Sequence, residues 1–490
     1  MMNYLDLPLE GLHNALVKKE VTPLDLTKEA LKRCHENSDN AFEKICDEEA
    51  LSFASSLVEP EIDNPLWGIP YVAKDNFSTK GIETNASSNI LNGYIPLFDA
   101  TVIEKLKAAK AVMVAKSTLD ELAMGGTGTT GHLGATFNPY DPSHERLVGG
   151  SSCGSAAAVA ASIVPFALGS DTGDSVRKPA SYAGLVGMKP TWGRISRFGL
   201  FPFAPSLDHV GYFSRDVYTS AVLLDALAGR DERDSTSSEK AVEKYESDMN
   251  QPIKGLKIAV IKDIVDSLTN KELLRHWNAS LEALRKEGAI VEEVLFGKDM
   301  LESLYATYFV ISCAEATSND ANLDGIKFGP FKGGNTYQEV MYNARTAGFG
   351  ELIKRRFVIG SYALMKENQE ELFLRAQRNR AKIVERVNEI LKDYDFIYTP
   401  AAPGIAPKAI ASNDKLSDEY LIADNHLCLG NFAGLPSITL PLCFMNDMPI
   451  GINFMGRAFE EKKLFQIAHA FEVLSGLSEV SVLNKKEGNL

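Results

Sequence analysis

The sequence predicts an α/β protein, a mixed or parallel β-sheet covered by helices, and two observations predict it. Short apolar runs of strand length alternate with longer segments of helical periodicity along most of the chain. The chain is also 490 residues long, 45% hydrophobic and 24% charged. That is an ordinary globular composition, with enough length to bury one large core or two to three smaller ones.

Taken in order, Thr22-Pro23-Leu24-Asp25 starts a helix, with threonine as cap and proline in the first turn, and the apolar periodicity runs on towards Cys34. Residues 66–73, after Pro65, form a short buried strand that delivers Lys74 at its end. A helix is predicted over 99–110 with a strand over 111–115 behind it, then a helix over 155–163 and a strand over 165–168. Residues 230–250 are polar and charged and predict a surface excursion rather than a domain boundary. Strand-like 256–261 and a helix from Lys271 resume the same alternation after them. A long helix is expected over 368–391, strands over 396–399, 437–444 and 449–454, and a final helix from near Glu461. With no internal repeat, residues 1–490 read as a single domain.

Charge and cysteine usage exclude several functions. The net charge is −14 and the pI about 5.2, so the surface repels phosphate backbones and is a poor grip for nucleic acid without a basic partner. Cys34, Cys46, Cys153, Cys313, Cys428 and Cys443 lie far apart without a CxxC pair, which gives neither a zinc site nor a disulfide framework. The N-terminus has no basic and apolar leader pattern. The longest nearly apolar run, 156–168, is too short to span a bilayer. No membrane association is expected, and a reducing cytoplasm is the expected compartment.

The chemistry concentrates in 149–194. Gly149-Gly150-Ser151-Ser152-Cys153-Gly154-Ser155 and Gly169-Ser170-Asp171-Thr172-Gly173-Asp174-Ser175-Val176-Arg177 gather glycine and serine between apolar stretches. Such loops let backbone N–H groups converge on one anion, as an oxyanion hole requires, although tight turns around a small-residue helix would look the same. Gly150–Gly154 fits G-x-S-x-G, but that elbow must follow a buried strand and polar residues precede it here. Ser175–Lys178 fits S-x-x-K, without a K-T-G to complete a β-lactamase set.

The block from Gly149 to Gly193, with Gly187-Met188-Lys189-Pro190-Thr191 at its end, resembles the signature of the amidase signature family. Upstream, Gly68-Ile69-Pro70-Tyr71-Val72-Ala73-Lys74-Asp75-Asn76 resembles that family's lysine motif. The resemblance implies the amidase signature fold, a large mixed sheet covered on both faces by helices, with its signature core over about 66–215. It also implies a serine amidase in which Ser175 is the nucleophile, Ser151 a bridging serine on a cis peptide, and Lys74 the base. The backbone of Thr172, Gly173 and Asp174 would form the oxyanion hole. A lysine serves as base only when neutral, and desolvation lowers its pKa towards that state. Cys153 and Asp174 stand where the common pattern has glycine, and the Asp174 side chain is expected to point away from the oxyanion.

Further stretches resemble the A subunits of tRNA-dependent amidotransferases: Leu119 to Gly125, Ser312 to Asn319 with Asp324-Gly325-Ile326, Gly348-Phe349-Gly350 with Ile353-Lys354-Arg355-Arg356, and Asn431 to Pro436. This implies a glutaminase supplying ammonia for transamidation of mischarged Glu-tRNA(Gln) or Asp-tRNA(Asn). Its partners would be subunits B and C in a heterotrimer, with tRNA reached through them. No cofactor is expected in this chain, and ATP and Mg²⁺ are expected on the partner. Met124 and Gly125 would line the glutamine site. Arg356, with Arg355 as the alternative register, would take the α-carboxylate, and Asp424 the α-ammonium. A free-standing amidase for small amides and an inactive scaffold are the competing readings.

Overall fold

A computed structural model describes residues 3–410, 417 and 419–490. One sheet of eleven strands runs through it, in the order β1-β3-β2-β4-β6-β5-β10-β11-β9-β7-β8. In chain order these are β1 (Phe42–Ile45), β2 (Pro70–Lys74), β3 (Val112–Ser117), β4 (Phe166–Asp171), β5 (Val186–Lys189), β6 (His209–Ser214), β7 (Lys257–Ile261), β8 (Ile290–Val294), β9 (Phe396–Pro400), β10 (Ser437–Met445) and β11 (Met448–Gly456). β2 pairs in parallel with β3 and β4, and β7 with β8 and β9. The strands between them are antiparallel, so the sheet is mixed.

Its two faces feed two apolar clusters. Ile258 and Val260 of β7 point into one and Ala259 and Ile261 into the other; Tyr398 and Ile397 of β9 divide in the same way. This is the period-two alternation of a strand covered on both sides. Helix Lys271–Lys286 seats Trp277 against Tyr398 on the first face, with ring centroids 4.4 Å apart. Helix Arg375–Asp393 packs Ile383 and Val387 into the second.

Most predicted elements form within a few residues of their expected bounds. Helix Pro23–Glu36 opens with a capping box, the Thr22 side chain accepting from the Asp25 N–H while Asp25 reaches back. The strand expected over 66–73 is shorter and later, Pro70–Lys74, because residues before Pro70 form a turn. The helix expected over 368–391 begins instead with a π-helical stretch, Glu370–Leu374, before the α-helix proper; apolar spacing does not separate the two windings. The excursion over 230–250 is exposed at 239–244 but stitched down at both ends. Asp231 accepts from Ser196 Oγ at 2.8 Å. Arg194 donates to the carbonyls of Lys240 and Ala241 and to the hydroxyl of the buried Tyr245. All six cysteines are buried and unpaired. No helix among the described residues is long and apolar enough to cross a membrane.

Candidate active site

β2 and β4 run side by side in parallel and end at the same edge of the fold, where crevices of α/β sheets hold ligands. β2 carries Lys74 as its last residue, and β4 carries Ser170 and Asp171 at its end. Ser151 and Ser152 lie in the turn before helix Cys153–Ala160, and Ser175 in the turn between β4 and helix Arg177–Ala183. The peptide between Gly150 and Ser151 is cis.

Lys74 is fully buried. Its ammonium donates to Ser151 Oγ at 2.8 Å, Ser152 Oγ at 2.9 Å and Ser170 Oγ at 2.9 Å. Burial pushes its pKa down to about 7, and the acidic groups of Cys153, Asp120, Asp171 and Asp208 oppose a further fall. A side chain that ordinarily stays charged is therefore half neutral near neutrality. Lys189, also buried and pushed down, donates among the described residues only to backbone carbonyls, those of Pro190, Gly430 and Leu435, and meets no hydroxyl there to activate.

The two neighbouring serines are not equivalent. Ser152 Oγ donates to the Ser170 carbonyl at 3.1 Å and accepts the Ser170 N–H at 3.3 Å, which ties it to β4. Ser151 Oγ accepts from Lys74 alone among the described residues, leaving its proton free to turn elsewhere. The Lys74–Ser151 half of a proton relay is thus formed. No hydrogen bond of the Ser175 hydroxyl is present among the described residues, and such contacts often close only around substrate.

The loop from Thr172 to Ser175 is braced from behind. Arg177 grips Asp171 with two bonds of 3.0 Å and donates to the Gly173 carbonyl at 2.8 Å and to Asn431 Oδ1 at 2.6 Å. Asp171 also accepts the Val176 N–H at 3.0 Å, and Thr172 Oγ1 donates to Asp208 at 2.7 Å. Among the described residues the backbone N–H groups of Thr172, Gly173, Asp174 and Ser175 have no hydrogen-bond partner, so they are available to an anion. The opposite loop is organised by Asp120, whose carboxylate accepts the N–H groups of Gly128, Thr129 and Thr130. A Cβ on Gly150 would stand 2.1 Å from Asp120 Oδ2, and one on Gly125 2.3 Å from Asp120 Cγ. Glycine is required at both by close approach.

A cavity of about 870 Å³ opens over this edge, lined by Gly125, Gly173, Asp174, Lys178, Arg356 and Asp424. Of the adjacent arginines in helix Glu351–Leu364, Arg355 is exposed and Arg356 is buried against the rings of Phe203 and Phe309. Nε and Nη1 of Arg356 have no partner among the described residues. A desolvated cation with unused donors is a site for a carboxylate. Gly125 lines the cavity, whereas the Met124 side chain packs into the apolar core. Asp174 does not leave the site. Its carboxylate pairs with Lys178 Nζ at 2.5 Å, and the same ammonium lies 3.2 Å from Asp424 Oδ1. Ser170, Asn76, Asp120 and Tyr308, whose ring covers Gly173, were not anticipated. Ser170, Asn76 and Asp120 lie inside the family-like motifs, Tyr308 carries no sequence signal, and the Asp174–Lys178 pair shows only its i,i+4 spacing.

A buried lysine bonded to a free serine hydroxyl, beside a glycine-rich loop with open N–H groups, defines the class of amide-cleaving enzymes that work with serine and lysine. The chain belongs to the Amidase family, whose sequence profile matches residues 25–465. It is 40% identical over 482 residues to the A subunit of glutamyl-tRNA(Gln) amidotransferase from Streptococcus pneumoniae, covering 97% of each chain. It is 38% identical over 475 residues to the corresponding protein of Staphylococcus carnosus, covering 95% of this chain and 96% of the relative. The crystal structure of the Thermotoga maritima protein of the same name superposes with a TM-score of 0.78 at 36% identity, over 96% of this chain and 95% of that one. The native peptide amidase from Stenotrophomonas maltophilia gives 0.81 at 25% identity, over 96% and 97%.

Proposed function

We propose that this chain is the glutaminase subunit of a tRNA-dependent amidotransferase, working in the cytoplasm within a heterotrimer that B and C subunits complete. One observation carries the glutamine reading. A cavity bordered by the oxyanion-type loop has in its lining both Arg356, a guanidinium with two unpartnered nitrogens among the described residues, and a carboxylate, Asp424. That pair suits the α-carboxylate and α-ammonium of a free amino acid, which a simple aliphatic or aryl amide would leave unused. The 40% identity to amidotransferase A subunits over nearly the whole chain supports the same reading.

In the mechanism, neutral Lys74 takes a proton from Ser151 as Ser151 takes one from Ser175. Ser175 Oγ attacks the side-chain amide carbon, and the N–H groups of Thr172 to Ser175 hold the resulting oxyanion. Each such donor is worth about 10²–10³ in rate. Collapse returns the proton through Ser151 to the leaving nitrogen and expels ammonia. Water, deprotonated by the same relay, then hydrolyses the γ-glutamyl ester to glutamate. The ammonia would pass to the partner subunit, which would hold ATP and Mg²⁺ to supply the activation of the mischarged Glu-tRNA(Gln) or Asp-tRNA(Asn) side chain.

Replacing Ser175 with alanine tests the assignment. Glutamate release should fall by about 10⁴-fold or more with the fold intact by circular dichroism, and an electrophilic glutamine analogue should label wild type at Ser175. Unchanged turnover, or labelling at Ser152, would sink the mechanism.

A further inference from the structure

The cavity lining holds more charged groups than the Arg356 and Asp424 that a zwitterionic amino acid needs, among them Asp174 and Lys178. Asp424 meets Lys178 twice: Nζ donates to its backbone carbonyl at 2.7 Å and lies 3.2 Å from Oδ1. If that ammonium belonged to Asp424 alone, it would cancel the charge that attracts a substrate ammonium. It does not belong to Asp424 alone. Asp174, one turn earlier on the same helix entry, takes Nζ at the shorter distance of 2.5 Å, and its backbone carbonyl accepts the Lys178 N–H at 2.9 Å. The Lys178 side chain is 8% exposed, while Asp174 and Asp424 are 20% and 27% exposed, and all three border the cavity. Two carboxylates thus share one lysine, leaving a net single negative charge on the side open to ligand.

We propose that Asp174 is a specificity-determining residue for the substrate: by taking the charge of Lys178 it leaves Asp424 free to bind the ammonium of an amino-acid amide. The inference rests on the glutamine reading and assigns Asp174 and Lys178 to that site. It also accounts for a carboxylate beside the oxyanion loop: its charge is committed to Lys178, so it does not oppose charge developing on the substrate oxygen.

The experiment compares glutamine with glutaramate, the same amide and carboxylate without the α-amino group, by ammonia release from the full-length protein in the complex with which it purifies. Asp174→Asn hands Lys178 entirely to Asp424. It should raise the KM for glutamine about 10-fold with a smaller effect on kcat, and reduce the preference for glutamine over glutaramate by a similar factor. The double variant Asp174→Asn/Lys178→Gln leaves Asp424 unopposed and should recover most of that preference. A role confined to supporting the loop predicts equal losses on both substrates and no rescue, and either result overturns the inference. Wild-type enzyme with no preference for glutamine over glutaramate would overturn the glutamine reading itself, and this inference with it. The wild type therefore separates the two failures.

Discussion

Lys74 is the residue on which the chemistry turns, and its environment makes a pH prediction with a definite sign. Burial lowers its pKa to about 7, so the neutral form that accepts a proton grows as pH rises through that value. The kcat/KM for glutamine should climb about tenfold per unit below pH 7 and level off above it. A profile flat from pH 5.5 to 8.5 would remove Lys74 as the base. Lys74→Arg should be as damaging as Lys74→Ala, because a guanidinium stays charged throughout this range. Lys178→Ala should cost far less than either, since Lys178 touches carboxylates and not the Ser151 hydroxyl; the opposite ranking would revive the Ser-x-x-Lys motif. Sequence motifs brought Lys74, Ser151 and Ser175 into view together. The other two hydroxyls around Lys74, those of Ser152 and Ser170, did not show, because they meet it only where β2 and β4 end side by side next to the turn that carries Ser152.

At the scale of elements, Arg177 ties three pieces of chain together: the end of β4 through Asp171, the oxyanion-type loop through Gly173, and helix Cys428–Phe432 through the Leu427 carbonyl and Asn431. Burial alone would raise the Asp171 pKa, yet the Arg177 charge and bonds hold it well below the usual carboxylate range. Arg177→Met leaves that carboxylate buried and unpaired, a loss of about 3–5 kcal/mol. The urea midpoint should drop accordingly, and Asp171→Asn added to Arg177→Met should recover part of the loss by removing the orphaned charge. A midpoint unmoved by Arg177→Met would mean that the brace is not structural. Strand and helix positions were readable from apolar spacing, as in the helix from Lys271 and the strands Ser437–Met445 and Met448–Gly456. Neighbours in the sheet were not, because β5 lies beside β10 and β4 beside β6 through pairings far apart in sequence. Nor could spacing show that helix Glu351–Leu364 turns Arg356 inward and Arg355 outward, since adjacent residues sit about 100° apart and the tertiary contact chooses between them.

Over the whole molecule, charge and geometry divide the labour of the reaction. The site contains what amide cleavage needs, a tuned base, a serine and a cavity suited to a zwitterion. A molecule of net charge −14 carries little of what tRNA needs. Polyanion affinity comes largely from lysine and arginine displacing counterions, and an excess of carboxylates works against it. At about 0.15 M salt the repulsion between well-separated surface charges is screened beyond roughly 8 Å, but local acidic surface still disfavours phosphate. The isolated chain should therefore retain no measurable tRNA in filter binding at micromolar concentration and physiological salt, whereas the complex should bind it with a steep salt dependence. Hydrolysis of glutamine should then respond to tRNA only in the complex, since an isolated chain of net charge −14 is not expected to hold tRNA. Micromolar tRNA binding by the isolated chain, weakening with salt, would show that the acceptor is held partly by this chain itself and that the division drawn from its charge is wrong.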